Sequence, residues 1–588
     1  MGPEPLVAAA ILAALVVALF RELAPPAAAM LGGLVLFVLV GILPPERAFV
    51  GFSSPATVTV AGMFVVARTV RDHAGLEGLT DRLLGDGSGG ARGALVRLVP
   101  PVAGLSGVMN NTPLVAALGP IVRRWAERHG VAATQLLVPL SFAAILGGLL
   151  TLIGTGPNLV VSGTLAASGH EPLGFFTITA AGLPLVVVGG IVLVVFAPLL
   201  LPDRRSPHER LAGDQRHYTI RLTVVPGGPA DGVTVAEAGL RDLATTYLAT
   251  ILRRGHEIAP VAPDTLLEGG DDLVFVGRVS QVRDLLDHPG LVEAEEAQTS
   301  LLDGDGHGLV ECVVSSTSPL AGTTLKTASF RGRYGGAVVA IHRAGERIDE
   351  KLGGVTLRAG DALLVLADVG FAERWQGRAD FAVVVPLDGE RPDARDRHGV
   401  VTLATLAGMV VLAGSGVVPV VTAVLAACSV LVVTRAIRFR RALDSLDLEV
   451  LLIIASAIGL GAAMEASGLA QRLADAVGAL STHRLVALAA VVVATMLLTE
   501  LVTNAAAAGM MVPVAIASAE LVGADPTGFA VGVAVAASSS FLTPIGYQTN
   551  TIVYGLGGYR FGDYWRLGLP LAATTVVTTL VVIPRVWG

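Results

Sequence analysis

The chain has 588 residues, of which 53% are hydrophobic and only 15% charged, with a mean hydropathy of +0.69. Soluble proteins carry about 25% charged residues, so the composition argues against an ordinary cytosolic enzyme and for a polytopic α-helical membrane protein. The 41 basic and 48 acidic residues leave a formal charge of −7, with no positive excess for nucleic acid, and two cysteines, Cys312 and Cys428, cannot build a disulfide framework.

Taken in chain order, Leu6–Phe20 is apolar but lacks the basic start and small-residue cleavage site of a signal peptide. It is expected to be the first membrane helix. Met30–Leu43 and Leu183–Leu201 follow, near the about 20 residues that a bilayer core requires. From about Asp203 to His398 the chain is rich in Asp, Glu, Arg and turn residues, as in a soluble region. Val400–Val433 is apolar again and long enough for two short spans. The expected domains are a membrane repeat over 1–202, two small domains over 203–300 and 301–398, and a second membrane repeat over 399–588.

The membrane part carries an internal repeat. Gly75-Leu76, Asn110-Asn111-Thr112 and Gly154-Thr155-Gly156-Pro157-Asn158 reappear as Gly468-Leu469, Thr503-Asn504-Ala505 and Pro544-Ile545-Gly546-Tyr547-Gln548-Thr549-Asn550. The interval is 36 residues from Gly75 to Asn111 and from Gly468 to Asn504; it is 47 from Asn111 to Asn158 and 46 from Asn504 to Asn550. The basic residues Arg68, Arg71, Arg123, Arg124, Arg128, Arg435, Arg438, Arg440 and Arg441 are expected on the cytoplasmic side. With the 203–398 insert also cytoplasmic, a helix near 48–68 runs inward and its counterpart near 446–466 runs outward. The repeats are then inverted, as in secondary transporters with discontinuous helices. About ten spanning helices are expected, plus re-entrant hairpins near 93–128 and 484–520.

The insert has its own repeat at an offset of 90. Pro229, Gly232, Thr234, Ala238 and Arg241 match Pro319, Gly322, Thr324, Ala328 and Arg331, and Arg253, Gly270 and Asp271 match Arg343, Gly360 and Asp361. Each unit is expected to hold a helix-like stretch after Gly-x-Thr and strands such as Asp272–Val276 and Ala362–Leu366, entered through Gly-Asp turns. Two small α+β domains result.

The candidate chemistry lies where polar tripeptides interrupt apolar hairpins. Asn110-Asn111-Thr112 and Thr503-Asn504-Ala505 are costly at membrane depth unless they line a cavity or are fully paired. Broken backbone offers carbonyls to a cation, helix N-termini offer amides to an anion, and an Asn side chain offers both groups. Gly154 and Gly546 allow the unwinding that exposes them. The bland alternative is that these polar groups are interhelical glue. Glu500, three residues before Thr503, is a candidate proton or cation site, or a structural acid. Gly85 to Gly90 matches GxGxxG but follows a membrane helix rather than a strand, so it reads as a loop.

The strings NNTPLVAALGPIV, TLIGTGPNLVVSG, TELVTNAAAAGMMVP and LTPIGYQTNTIVYGLGGYRFGDY resemble the divalent anion/sodium symporter (DASS) family of the ion-transporter superfamily. The resemblance implies a homodimer with an elevator motion and sodium as coupling ion. It places Asn110, Asn111, Gly154 and Asn158, supported by Thr155, at a first sodium site. A second would use Thr503, Asn504, Pro544, Gly546 and Asn550, and Asn111, Thr112, Thr155, Asn504 and Ala505 would border the anion. Asn110 and Ala505 depart from the family's Ser-Asn-Thr, which makes a smaller inorganic oxyanion more plausible than a dicarboxylate. The insert resembles paired RCK-C (TrkA-C) domains, which implies regulation, dimerisation and a nucleotide ligand such as cyclic di-AMP, or a bare scaffold. That combination resembles sodium/sulfate symporters, so sulfate is expected first and a di- or tricarboxylate next, imported across the cell (plasma or inner) membrane. The rivals are a cation/proton antiporter or arsenite-type exporter on the same scaffold, and a sensor or channel subunit. No potassium-filter sequence is present to support a channel. No nucleophile–base pair or metal set points to an enzyme, and no resident cofactor is expected.

Overall fold

The computed structural model describes residues 4–21, 23–73, 84–85, 89–203, 217–240, 246–253, 256–258, 261, 264–278, 290–293, 307–315, 318–343, 346–348, 352–368, 370–375, 378, 380–386, 397–481, 483–544 and 546–588. Gly75-Leu76, which began the repeat comparison, lies outside the described residues, as does the middle of the Gly85–Gly90 motif.

The first helical stretch comprises α1 (Glu4–Phe20), α2 (Pro26–Leu39), α3 (Pro45–Ala48), α4 (Pro55–His73), α5 (Gly90–Ser106), α6 (Asn111–Arg128), α7 (Thr134–Gly147), α8 (Gly156–Ala167) and α9 (Thr179–Leu200). The expected hairpin is the pair α5 and α6, broken at residues 107–110. Asn110 caps α6 by accepting from the Thr112 amide at 3.4 Å, which satisfies one of the free donors of a helix start.

Two five-stranded sheets follow. The first contains β1 (His217–Val224), β2 (Thr246–Arg253), β3 (His256–Ile258), β4 (Asp272–Arg278) and β5 (Leu291–Glu293), in the order β3-β2-β4-β1-β5. The second contains β6 (His307–Val314), α10 (Phe330–Tyr334), β7 (Gly336–Arg343), β8 (Glu346–Arg347), β9 (Ala362–Asp368), α11 (Phe371–Trp375) and β10 (Phe381–Pro386), in the order β10-β6-β9-β7-β8. The same clamp closes both. Arg253 donates from Nε and Nη2 to Asp271 at 2.8 and 2.7 Å, and Arg343 does so to Asp361 at the same distances. Each Asp also accepts from a turn amide, Glu268 or Arg358, so a buried carboxylate is fully used.

One expectation fails in both sheets. The stretch after Gly-x-Thr is a single turn rather than a helix. Ala238 and Ala328 make one bond back to Thr234 and Thr324, and then Gly239 (φ +69°) and Ser329 (φ +47°) turn left-handed and end it. Among the described residues, the short α10 follows it in the second domain.

The second helical stretch comprises α12 (Arg397–Gly414), α13 (Val420–Val433), α14 (Phe439–Asp444), α15 (Leu448–Ala466), α16 (Leu469–Leu480), α17 (Arg484–Thr499), α18 (Asn504–Leu521), α19 (Pro526–Ser538), α20 (Gln548–Gly557) and α21 (Phe561–Val586). Here α17 and α18 form the hairpin pair, with Thr503 capping α18 through the Ala506 amide at 3.4 Å. Four described helices, α9, α15, α18 and α21, are long and apolar enough to cross a membrane, and seven shorter ones are also apolar. Their outward faces carry large apolar side chains such as Leu183, Val187, Ile191, Leu569 and Val577. That pattern suits a lipid environment and would be an aggregation hazard in water.

By contacts the chain divides into two compact units, Met1–Ser206 with Val310–Val365 and Ala372–Gly588, and Pro207–Leu309 with Leu366–Phe371. The first unit thus joins the helices to much of the second sheet. Arg123, expected from sequence on the cytoplasmic side, is buried there and paired with Glu311 of the insert.

Candidate functional site

The tip of each hairpin is built around one buried asparagine. Ser106 Oγ donates to Asn111 Oδ1 at 2.5 Å and lies 2.7 Å from the Ala144 carbonyl. Thr499 Oγ1 stands 2.9 Å from Asn504 Oδ1 and 2.7 Å from the Ala537 carbonyl. All three positions recur 393 residues later, so one hydroxyl ties the tip to the following helix, α7 or α19, in each half. Neither Ser106 nor Thr499 was singled out from sequence. Applying the Asn111-to-Asn504 offset to nearby hydroxyls would have found them.

A second asparagine in each half holds the loop that follows. Asn158 Nδ2 donates to the carbonyls of Gly148 and Thr151 at 2.9 and 3.0 Å. Asn550 Nδ2 donates to those of Ser540 and Thr543 at 3.0 and 3.1 Å. Here the offset is 392. The loops between α7 and α8 and between α19 and α20 are therefore non-helical backbone whose carbonyls are gathered around an amide. In the first loop the chain folds tightly on itself: a Cβ on Gly154 would fall 2.6 Å from the Gly148 carbonyl oxygen, and one on Gly148 would fall 3.0 Å from Asn111 Oδ1. Glycine at both positions is what lets the loop lie against the hairpin tip.

Tyr547 joins the halves. Its hydroxyl accepts from Asn111 Nδ2 at 3.1 Å and lies 3.3 Å from Thr155 Oγ1, while Thr112 Oγ1 lies 3.3 Å from Gln548 Oε1. Asn111, Thr112 and Thr155 are thus brought together by two residues the sequence reading left without a role. Ala505 lies at the start of α18, partly exposed, and adds no polar group.

The halves also differ. Glu500, partly buried, accepts from the Leu542 amide at 3.0 Å and from Thr543 Oγ1 at 2.8 Å, and its first-half counterpart is Gly107. Gly546 lies against this group: a Cβ there would be 2.8 Å from Glu500 Oε2 and 2.2 Å from Ser540 Oγ. The Pro544 carbonyl accepts from Thr551 Oγ1 at 2.9 Å. Asn550 Oδ1 accepts from Ser141 Oγ at 2.8 Å, whereas the buried Asn158 Oδ1 has no hydrogen-bond partner among the described residues. The same holds for Asn504 Nδ2. A buried orphan acceptor or donor costs about 1–3 kcal/mol, and each of these two atoms keeps the capacity for one more hydrogen bond.

Residues 14–534 match the model of the CitMHS family, described as citrate transporters. The chain belongs to this family. Within the ion-transporter superfamily, this CitMHS member is similar over 93% of its length to a putative sulfur deprivation response regulator of Chlamydomonas reinhardtii, at 34% identity over 95% of that protein. It is 33% identical to an uncharacterized transporter of Synechocystis, covering 99% of this chain and 97% of the other. A probable sodium/sulfate cotransporter of Chlamydomonas reinhardtii matches at 33% identity over 58% of this chain and 40% of its own length. As a CitMHS member with many apolar helices, the protein is a membrane transporter, and the names of its relatives point to transport of an anion rather than to enzymatic chemistry.

Proposed function

We propose that the protein imports a divalent oxyanion together with sodium, with sulfate favoured over di- or tricarboxylates. The observation that carries this reading is the paired hairpin tip, in which one hydroxyl, one Asn and one carbonyl recur in both halves beside an unwound loop. Sodium suits clustered neutral oxygens. Asn110, Asn111, Gly154 and Asn158, with Ser106, would form one sodium site, and Asn158 Oδ1 is the acceptor left over for the ion. Thr503, Asn504, Pro544, Gly546 and Asn550, with Thr499, would form the other. The anion would lie between the tips, bordered by Asn111, Thr112, Thr155, Asn504 and Ala505, with the spare Asn504 N–H and the starts of α6 and α18 as donors. The sodium/sulfate names of several relatives support the substrate class.

Glu500 is read as a supporter of the second cation site. Its hydrogen bonds from the Leu542 amide and the Thr543 hydroxyl tie it to the unwound loop, and its charge would offset a bound cation. An antiporter would need an exchangeable acid, and this carboxylate is instead fastened to the loop.

The remaining parts of the proposal follow from the resemblance to DASS permeases. The two membrane halves, 1–202 and 399–588, are inverted repeats in the cell membrane, working as a homodimer with an elevator motion. The insert, with domains at 203–300 and 301–398, is cytoplasmic and RCK-C-like, regulating transport through a ligand such as cyclic di-AMP. The test is radiolabelled sulfate uptake into proteoliposomes with and without an inward sodium gradient, with succinate as competitor. Sodium-driven uptake that succinate leaves untouched is expected. Succinate competition would move the substrate to carboxylates, and no sodium-dependent flux from folded protein would overturn the symport.

A further inference from the structure

The site helices α6 and α20 leave the site side by side, and their far ends meet the same sheet. On α6, Arg123 lies about 18 Å along the axis from Asn111 at 1.5 Å per residue. Its Nη1 donates to Glu311 Oε1 at 2.7 Å and its Nη2 to the other carboxylate oxygen. Arg123 is 2% exposed and Glu311, on β6, 13%. On α20, a Cβ at Gly555 would fall 2.9 Å from both the Gly360 carbonyl oxygen and Val313 Cγ1, so only a hydrogen there permits the approach. From the sheet side, a Cβ on Gly360 would contact Tyr554 and Thr551 of α20. Val313, Ala362 and Val383 of the sheet are buried in the same apolar cluster as Leu114 and Leu118 of α6 and Ile552 and Leu556 of α20.

These contacts form a closed frame. At the near end the helices are joined by Asn111 to Tyr547 and Thr112 to Gln548. At the far end each is fixed to one face of the second sheet, one by a buried bidentate ion pair and the other by backbone contact. Arg123 Nε also lies 3.5 Å from Glu127 Oε1, but only Glu311 takes both terminal nitrogens, so losing it leaves the buried guanidinium only partly compensated.

We propose that the second insert domain is a brace: it sets the separation of α6 and α20 and so the geometry of the residues at their starts, with Glu311 a positioning residue. The inference rests on the proposed binding site at those starts, and gives the insert a direct mechanical route to it through β6 and the Gly360 turn. A ligand that reshapes that face changes the site by displacing two helix ends, which is a coupling with a named path.

The test uses the full-length protein and three variants: Glu311→Gln, Gly555→Ala, and the swap Arg123→Glu with Glu311→Arg, made together with Glu127→Gln because Glu127 lies 3.5 Å from Arg123 and would repel a carboxylate there. Two quantities are read: amide hydrogen exchange along α6 and α20, and the sodium concentration giving half-maximal thermal stabilisation, with potassium as control. Glu311→Gln and Gly555→Ala are each expected to speed exchange in the first turns of both helices. They should raise half-saturating sodium by about two- to thirtyfold, the span of couplings carried through packed networks, and the swap should recover most of the loss. Faster exchange confined to β6 and the far helix ends, with the first turns unchanged, would overturn the brace. If sodium fails to stabilise the wild-type protein, the sodium reading fails instead, and exchange at the first turns still decides the brace.

Discussion

The Asn111 side-chain amide donates to the Tyr547 phenol at 3.1 Å, joining a hairpin tip in the first half to the unwound loop of the second, 436 positions away. The same phenol lies 3.3 Å from Thr155 Oγ1, so one oxygen organises two residues expected to border the anion.

Tyr547→Phe keeps the ring and removes that oxygen. With the net value of such a bond near 1 kcal/mol, the anion KM should rise about fivefold while expression and melting temperature hold. Initial uptake rates across a range of anion concentrations check this. An unchanged KM would detach the phenol from the site.

Ser106→Ala and Thr499→Ala each free an Asn oxygen and a carbonyl from a shared hydroxyl. Each should raise the half-saturating sodium concentration about tenfold, equal to about 1.4 kcal/mol. Thr499→Ser should behave as wild type, since it keeps the hydroxyl. The measurement is sodium-dependent uptake at fixed anion.

Glu500→Gln keeps an acceptor for the Leu542 amide but removes the charge. Sodium should bind about tenfold more weakly, again about 1.4 kcal/mol, with uptake preserved at high sodium. A variant that instead loses proton-driven counter-flow would favour the antiporter.

In the first insert domain the amides of Gly227 and Gly269 hold the Asp231 carboxyl below the usual carboxylate range. A depressed carboxylate contributes stability that is present above its unfolded pKa, about 3.9, and is lost as pH falls through the lower folded value. Hydrogen exchange at residues 225–231 and 264–271 should therefore show these turns loosening on acidification, not on alkalinisation. Asp231→Asn should loosen them already at neutral pH and remove this group's share of the acid response.

The sequence already marked the hairpin breaks, because a polar tripeptide inside an apolar run has few physical uses and Asn110 and Thr503 are helix caps by chemistry. Gly154 and Asn158 were legible for the same reason: glycine and amide together specify unwound backbone. Ser106 and Thr499 were not, since a single hydroxyl on an apolar helix most often bonds its own backbone, as Thr495 does to Val491. Tyr547 was hidden because its role depends on a partner in the other half. The helix expected after Gly-x-Thr failed on one residue, the left-handed Gly239 or Ser329, which a propensity argument weighs too lightly. The pairing of Arg123 was not legible because its partner, Glu311, lies 188 positions away in the insert.

The most direct measurement is sodium-dependent sulfate uptake by Asn111→Ala and Asn504→Ala beside wild type, in proteoliposomes of matched protein content. Sodium-driven uptake by wild type, abolished in both variants while both remain folded, is the predicted result. Full uptake by either variant would contradict the paired site.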